Sequence, residues 1–223
     1  MRRSFFVLII CYTVNMKKGK FIVIEGGEGS GKGTQLDLLK KELSGMDILY
    51  TREPGGTRIS ELIRDILLNK ENTEIVQQTE LLLFYASRAQ LVKELIAPAL
   101  EAGKNVISDR FSLSTIAYQI YGRERQEYLS FCESLDAEVV GKYIPDLTVF
   151  LDIEPVRGLE RVRAKRPDKV DRLDLESVAF HNRVRDGYLR GLKKVSHTII
   201  NADRSPEEVF VEFGRVVKAC LGA

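Results

Sequence analysis

The sequence predicts an α/β fold in which helices cover both faces of a five-stranded parallel sheet. Short apolar runs rich in β-branched residues alternate along the chain with longer segments of helical periodicity. The first of these runs passes directly through a glycine-rich turn into a helix, and no internal repeat, low-complexity tract or linker interrupts the alternation. At 223 residues the chain suits one domain with a sizeable core.

In order, Phe21-Ile22-Val23-Ile24 is a continuous apolar run, as a buried parallel strand requires. A helix over about Lys32–Leu43 follows, with Leu36, Leu39 and Leu43 on one face. Asp47–Thr51 is the second strand, and Pro54-Gly55-Gly56 breaks the chain before a helix near Ile59–Leu68. A long apolar helix, or a pair, spans about Glu74–Glu101 with a bend near Pro98. Asn105–Ser108 is the third strand, ending at Asp109, and helical patterns fill about Ser112–Lys142. Leu147–Leu151 is the fourth strand, ending at Asp152, and Pro155 opens the next helix in a position that suits a first turn. Charge crowds Arg161–Arg172, which Pro167 interrupts, before helix resumes to about Lys194. Thr198-Ile199-Ile200 is the last strand, and Ser205-Pro206-Glu207 begins the final helix.

Lys plus Arg (34) nearly balance Asp plus Glu (32), for a net charge of +2. Sequence-independent nucleic-acid binding draws its affinity from neutralising many phosphates, so nucleic acid is not an expected partner and anion binding should be local. Cys11, Cys132 and Cys220 form neither a disulfide framework nor a metal spacing, which points to a reducing, cytoplasmic setting. The N-terminus carries a signal-like pattern: Met1-Arg2-Arg3, then an apolar run from Phe5 to Val14. That run is too short to span a bilayer, which takes roughly 20 apolar residues, and no small-residue cleavage site follows it. Residues 1–15 are therefore expected to be an upstream extension with Met16 as initiator, a signal-like membrane anchor being the alternative. Residues 16–223 then form the single domain, with no stable membrane association.

Gly26-Gly27-Glu28-Gly29-Ser30-Gly31-Lys32 fits G-x-x-x-x-G-K between a strand and a helix. Glycines let backbone N–H groups converge on phosphate without Cβ obstruction, the helix N-terminus adds its positive end, and Lys32 supplies a point charge between β- and γ-phosphates. The hydroxyl residue usual after the lysine is Gly33, with Thr34 one position later, so a direct hydroxyl ligand to Mg²⁺ is displaced. A guanine-reading N-K-x-D is absent, since Asn69-Lys70-Glu71-Asn72 lacks the aspartate. The loop alone does not separate kinases from GTPases or motor ATPases.

Further motifs occur in a fixed order: Thr51-Arg52-Glu53-Pro54-Gly55-Gly56-Thr57, Phe84-Tyr85-Ala86-Ser87-Arg88, Asp109-Arg110-Phe111, Ser114-Thr115-Ile116-Ala117-Tyr118-Gln119 and Asp171-Arg172. On these, residues 19–212 or so resemble the thymidylate kinases, which have the P-loop nucleoside monophosphate kinase fold. The resemblance implies ATP as donor, dTMP as acceptor, Mg²⁺ and a homodimer. It gives Arg110 the bridge between acceptor phosphate and transferring phosphoryl, a role that suits its planar fork. Asp109 would help order the Mg²⁺ shell through water, Arg64 would bind the acceptor phosphate, and Glu53 would lie near sugar and phosphate. Phe84 would lie flat on the thymine and Arg88 on its carbonyl edge, four residues apart on one helix face. Thr115 and Gln119 would hydrogen-bond the pyrimidine edge, Tyr118 would sit near the sugar 2′ position, and Glu28 near the 3′-hydroxyl.

The segment at about 161–172 resembles a lid over ATP. Because Gly29 occupies the slot where some of these kinases carry a loop arginine, the resemblance is to the bacterial type, whose arginine comes from the lid: Arg166 first, then Arg163. From the residues themselves two alternatives stay open. One is another nucleoside monophosphate kinase, toward which Gly33-Thr34 points as the adenylate-kinase form of the loop. The other is a non-catalytic nucleotide-binding module.

Overall fold

The structure, a computed structural model, describes residues 18–165, 172–173 and 175–223. Residues 1–15 and Met16 lie outside the described residues. The strands are β1 (Phe21–Gly26), β2 (Ile48–Arg52), β3 (Asn105–Asp109), β4 (Leu147–Asp152) and β5 (His197–Asn201). They form one parallel sheet in the order β2-β3-β1-β4-β5. From the central β1 the chain builds outward through β2 and β3, then crosses to the other side for β4 and β5. Such a reversal opens a crevice at the carboxyl ends of the strands.

Alternation within β1 decides which layer each side chain joins, because successive residues of a strand face opposite sides. Ile22 and Ile24 pack with Leu36 and Leu39 of α1 (Lys32–Glu42) and with Val209, Phe213 and Val217 of α9 (Pro206–Leu221). Phe21 and Val23 pack on the opposite face with Leu91, Val92, Ile96 and Leu100. Both faces are thus covered, as expected from the continuous apolar run.

Between β2 and β3 lie α2 (Arg58–Leu68) and α3 (Gln77–Leu91), the latter continuing through a widened turn at Val92–Ile96 into α4 (Ala97–Glu101). The helical stretch starts three residues after the expected Glu74. Its irregularity falls just before Pro98, which has no N–H to donate and whose ring crowds the preceding turn. The expected helical block over 112–142 is divided. Ser112–Thr115 (α5) runs into a second widened turn at Ile116–Gly122, a short 3₁₀ turn follows at Gln126–Tyr128, and α6 spans Leu129–Val139. Glu124 sits at φ 56°, left-handed backbone that ends the first part.

Helix α7 (Pro155–Lys165) leaves β4, and α8 (Val178–Leu192) begins at Ser177, whose hydroxyl accepts from Phe180 N. At α9, Ser205 and Glu208 form a reciprocal capping box ahead of Pro206 at the first helical position. No helix among the described residues is long and apolar enough to cross a membrane.

Phe213 is fully buried against the sheet, whereas Val211, two residues earlier on α9, is 74% exposed. Phe213→Ala should destabilise the fold by about 3–5 kcal/mol. Val211→Ala should change stability by no more than ~0.5 kcal/mol. Urea unfolding of the two variants side by side checks the layer assignment.

Candidate functional site

A cleft of about 760 Å³ opens along the carboxyl ends of the strands. One end is walled by the loop after β1, the other by side chains from α2, α3, β3 and the helical segment after it. Of the residues expected to grip phosphates, Glu28, Gly29, Ser30, Gly31, Lys32, Gly33 and Thr34 line the cleft, while Gly26 and Gly27 do not.

Two glycines of this loop take left-handed backbone, Gly29 at φ 69° and Gly31 at φ 88°, and Gly31 caps α1. At Gly29 space is decisive as well. A Cβ there would meet Gly158 O of α7 at 2.0 Å, and a Cβ on Gly158 would meet Glu28 O at 2.1 Å. The loop and the helix leading toward the charged segment therefore touch backbone to backbone. Gly33 differs, since a Cβ there would meet nothing within 4 Å, so space does not account for the missing hydroxyl. Lys32 Nζ donates to Gly26 O at 3.0 Å and Gly27 O at 3.3 Å, and burial pushes its pKa down.

Arg110 joins the two ends of the cleft. Its backbone is left-handed at φ 70°, rare for a residue with Cβ. The turn is held by Arg110 N donating to Ile24 O at 2.9 Å and Ser108 Oγ donating to Arg110 O at 2.8 Å. The guanidinium donates through Nη1 to Gly26 O (3.0 Å), Ser114 Oγ (3.2 Å) and Tyr188 Oη (2.8 Å). Through Nη2 it donates to Glu28 Oε1 (2.7 Å) and Tyr118 Oη (3.1 Å). Tyr118 Oη also donates to Glu28 Oε1 at 2.7 Å. Burial alone would push the Glu28 carboxyl up. Arg110, then Lys32 and the Tyr118 hydroxyl, outweigh it and hold the pKa at about 2.

At the far end, Arg88 is almost fully buried beside the rings of Tyr85 and Phe111. Its Nε donates to Glu53 Oε2 at 2.9 Å and its Nη2 to Thr115 Oγ1 at 2.7 Å, while Nη1 lies 3.6 Å from Asp136 Oδ1. Burial raises the Glu53 pKa to about 7 despite this ion pair. Arg64 Nη1 donates to Pro54 O at 2.6 Å. Arg64, Phe84, Tyr118, Gln119 and Asp109 all line the cleft, and Asp109 Oδ1 is a buried oxygen that accepts no hydrogen bond from the described residues. Every residue expected on the acceptor side thus borders one cavity. Arg166 lies outside the described residues, as do Pro167 and Asp171. Arg163 is exposed and does not line the cleft, whereas Arg161 does, donating to Ala202 O at 2.8 Å.

Three further residues that shape the cleft lie outside the motifs. Glu25, fully buried, accepts from Phe111 N (2.9 Å), Ser114 N (3.2 Å), Ser114 Oγ (2.6 Å) and Tyr188 Oη (3.1 Å), fixing the turn that presents Arg110. Its position as an acid inside an otherwise apolar strand was the available signal. Tyr188 comes from α8, far away in sequence, and nothing local marks it. Arg204 borders the cleft beyond the phosphate loop, beside Ala202 and Pro206.

The family model described as Thymidylate kinase matches residues 24–212. A thymidylate kinase of Clostridium novyi (strain NT) is 46% identical over 201 residues, covering 88% of this chain and 97% of the relative. One of Halothermothrix orenii is 46% identical over 207 residues, covering 92% and 99%. The crystal structure of thymidylate kinase from Ehrlichia chaffeensis superposes with a TM-score of 0.72 at 32% identity, covering 90% of this chain and 99% of that one.

Glu53 gives a pH dependence opposite in sign to that of a stabilised carboxylate. Its folded pKa, about 7, lies above the ordinary 4.5, so between those values the folded protein keeps a proton that the unfolded chain has released. Stability contributed by this group falls as pH rises from about 4.5 to 7. Urea unfolding across that window should show the decline, and Glu53→Gln should flatten it; an unchanged slope in the variant would refute the assignment.

Proposed function

This chain belongs to the thymidylate kinase family, and from that membership we infer how its cleft transfers the γ-phosphoryl group of ATP to dTMP, giving ADP and dTDP on the way to dTTP. The observation that carries the assignment of roles is the Glu28–Arg110 contact of 2.7 Å, which joins the donor loop to the acceptor pocket inside one cavity.

Phosphoryl transfer demands positioning and cations around the equatorial oxygens more than covalent chemistry. The backbone N–H groups of Gly29 to Gly33 and the Lys32 ammonium take the donor phosphates. Arg110, placed at the junction, exchanges some of its protein acceptors for oxygens of the acceptor phosphate, whose oxygen attacks the γ-phosphorus in line as the bond to the ADP oxygen breaks. Arg64 holds the acceptor phosphate from the other side. Thymine lies against Phe84, with Arg88, Thr115 and Gln119 at its edge; Tyr118 and Glu28 border the sugar, and Glu53 orients Arg88. Because Glu28 stays ionised, it can accept from the sugar 3′-hydroxyl while holding Arg110. Asp109, whose Oδ1 accepts no hydrogen bond from the described residues, would hold a hydrated Mg²⁺. When bound, Mg²⁺ neutralises charge on the β- and γ-phosphates.

A coupled assay with ATP over dTMP, dUMP, AMP, CMP and GMP tests the assignment. dTMP should be the best acceptor, and Lys32→Ala should lower its turnover on the order of 10²-fold or more. Use of AMP equal to or better than dTMP would overturn it.

We also propose a homodimer and a cytoplasmic location. The neighbouring helices α2, α3 and α6 expose Leu62, Ile66, Leu82 and Phe131, each more than 40% accessible, and a second copy would cover them. The two described cysteines, Cys132 and Cys220, are free thiols, in keeping with a reducing compartment. Sedimentation equilibrium should give twice the chain mass, and a monomer at micromolar concentration would exclude the dimer.

A further inference from the structure

One buried carboxylate behind the wall of the cleft is left unused by this mechanism. Glu80 of α3 is 1% exposed and does not line the cavity, yet three donors from two separate segments converge on it. Gln119 Nε2 donates to Glu80 Oε1 at 3.1 Å. Arg123 donates to both carboxylate oxygens at 3.3 Å, and Arg172 Nη2 donates to Oε2. Arg172 Nε also reaches Leu67 O at 3.1 Å, and Arg123 Nη1 reaches Glu176 Oε1 at 2.5 Å. Burial alone would raise the Glu80 pKa; Arg123, the Gln119 amide and Arg172 reverse that and keep it ionised.

An ionised carboxylate only accepts hydrogen bonds. The end of the Gln119 amide that meets Glu80 must therefore be its NH₂ group. Gln119 lines the cleft, and its Oε1 takes no hydrogen bond from any described residue and is not sealed from the cleft. What the pocket receives from Gln119 is a hydrogen-bond acceptor. Thymine and uracil carry a proton on ring N3 and can donate to it, whereas cytosine presents a bare N3 lone pair that opposes it.

We propose that Glu80 is a positioning residue for acceptor choice: it locks the Gln119 amide with its oxygen toward the cleft and so selects pyrimidines protonated at N3 over cytosine. The same carboxylate anchors Arg172, where the chain returns from the charged segment, so base reading and that anchor share one buried anion. The inference rests on the assignment of Gln119 to the base edge.

Replacing the carboxylate by an amide removes the lock, because glutamine can accept from or donate to Gln119 and lets its amide turn over. In Glu80→Gln, the ratio of kcat/KM for dTMP to that for dCMP should fall about tenfold or more, the scale of one mispaired buried hydrogen bond. Glu80→Asp, still acceptor-only, should keep the ratio while losing activity with both nucleotides. A proportional loss with both substrates in Glu80→Gln, leaving the ratio unchanged, would reduce Glu80 to a structural role and overturn the proposal.

If Glu80→Gln shows no cooperative melt, the unaltered protein supplies the test through the Gln119 side-chain NH₂ signal in ¹H–¹⁵N spectra. Slow hydrogen exchange before and after dTMP addition supports the lock; exchange as fast as that of exposed amides overturns it. Failure of the underlying assignment looks different: Gln119→Ala would leave the dTMP preference intact, or the unaltered protein would not prefer dTMP to dCMP.

Discussion

The cleft is organised around Arg110, whose backbone occupies a region that costs a residue with Cβ roughly 1–3 kcal/mol. Side chains and carbonyls from several elements oppose that cost. Gly26 O and Glu28 belong to the loop after β1, Ser114 and Tyr118 to the helical segment after β3, and Tyr188 to α8. Glu25, fully buried beneath them, accepts from two backbone N–H groups of the segment after β3 and also binds the Ser114 and Tyr188 hydroxyls. The guanidinium is thereby placed at the junction before a phosphate arrives, and binding one exchanges some of these protein acceptors for phosphate oxygens. That is preorganisation in the sense that matters for phosphoryl transfer.

A second constraint is steric and lies on the other side of the loop. Gly29 and Gly158 press together so closely that neither tolerates a Cβ without backbone movement. A loop arginine at position 29, the alternative source of a transition-state cation in this family, is excluded here by packing as well as by sequence. The contact packs α7 directly against the phosphate loop.

How much of this was legible in the sequence depended on whether the signal was local. All five strands were legible because each is a short apolar run bounded by breakers, and their parallel order followed from the alternation with helices. The widened turns at Val92–Ile96 and Ile116–Gly122 were not, since only Pro98 marks the first and nothing marks the second. The cleft-lining set from Glu28 to Gln119 was legible as motifs, because each motif keeps its residues within one turn or loop. Tyr188, Glu25 and Glu80 were not. Their roles arise from partners up to 163 residues away, a separation that no periodicity encodes.

The buried carboxylates show what decides protonation in such a wall. Desolvation heads the influences on all of them, yet the outcomes diverge with the number of cationic partners. Glu28 faces Arg110 and Lys32, and Glu80 faces Arg123 and Arg172; both fall below the ordinary carboxylate range. Glu53 has the single guanidinium of Arg88, which is itself drawn toward Asp136, and it rises. Glu25 is held chiefly by neutral donors and also rises. A carboxylate flanked by two cations stays an obligate acceptor, able to fix the geometry of its neighbours. One with a single cation can exchange its proton near neutral pH. It follows that the two carboxylates best suited to holding the site rigid are those with two cations each, Glu28 in the phosphate loop and Glu80 behind the Gln119 amide, while Glu53 is the group through which pH near neutrality reaches the pocket.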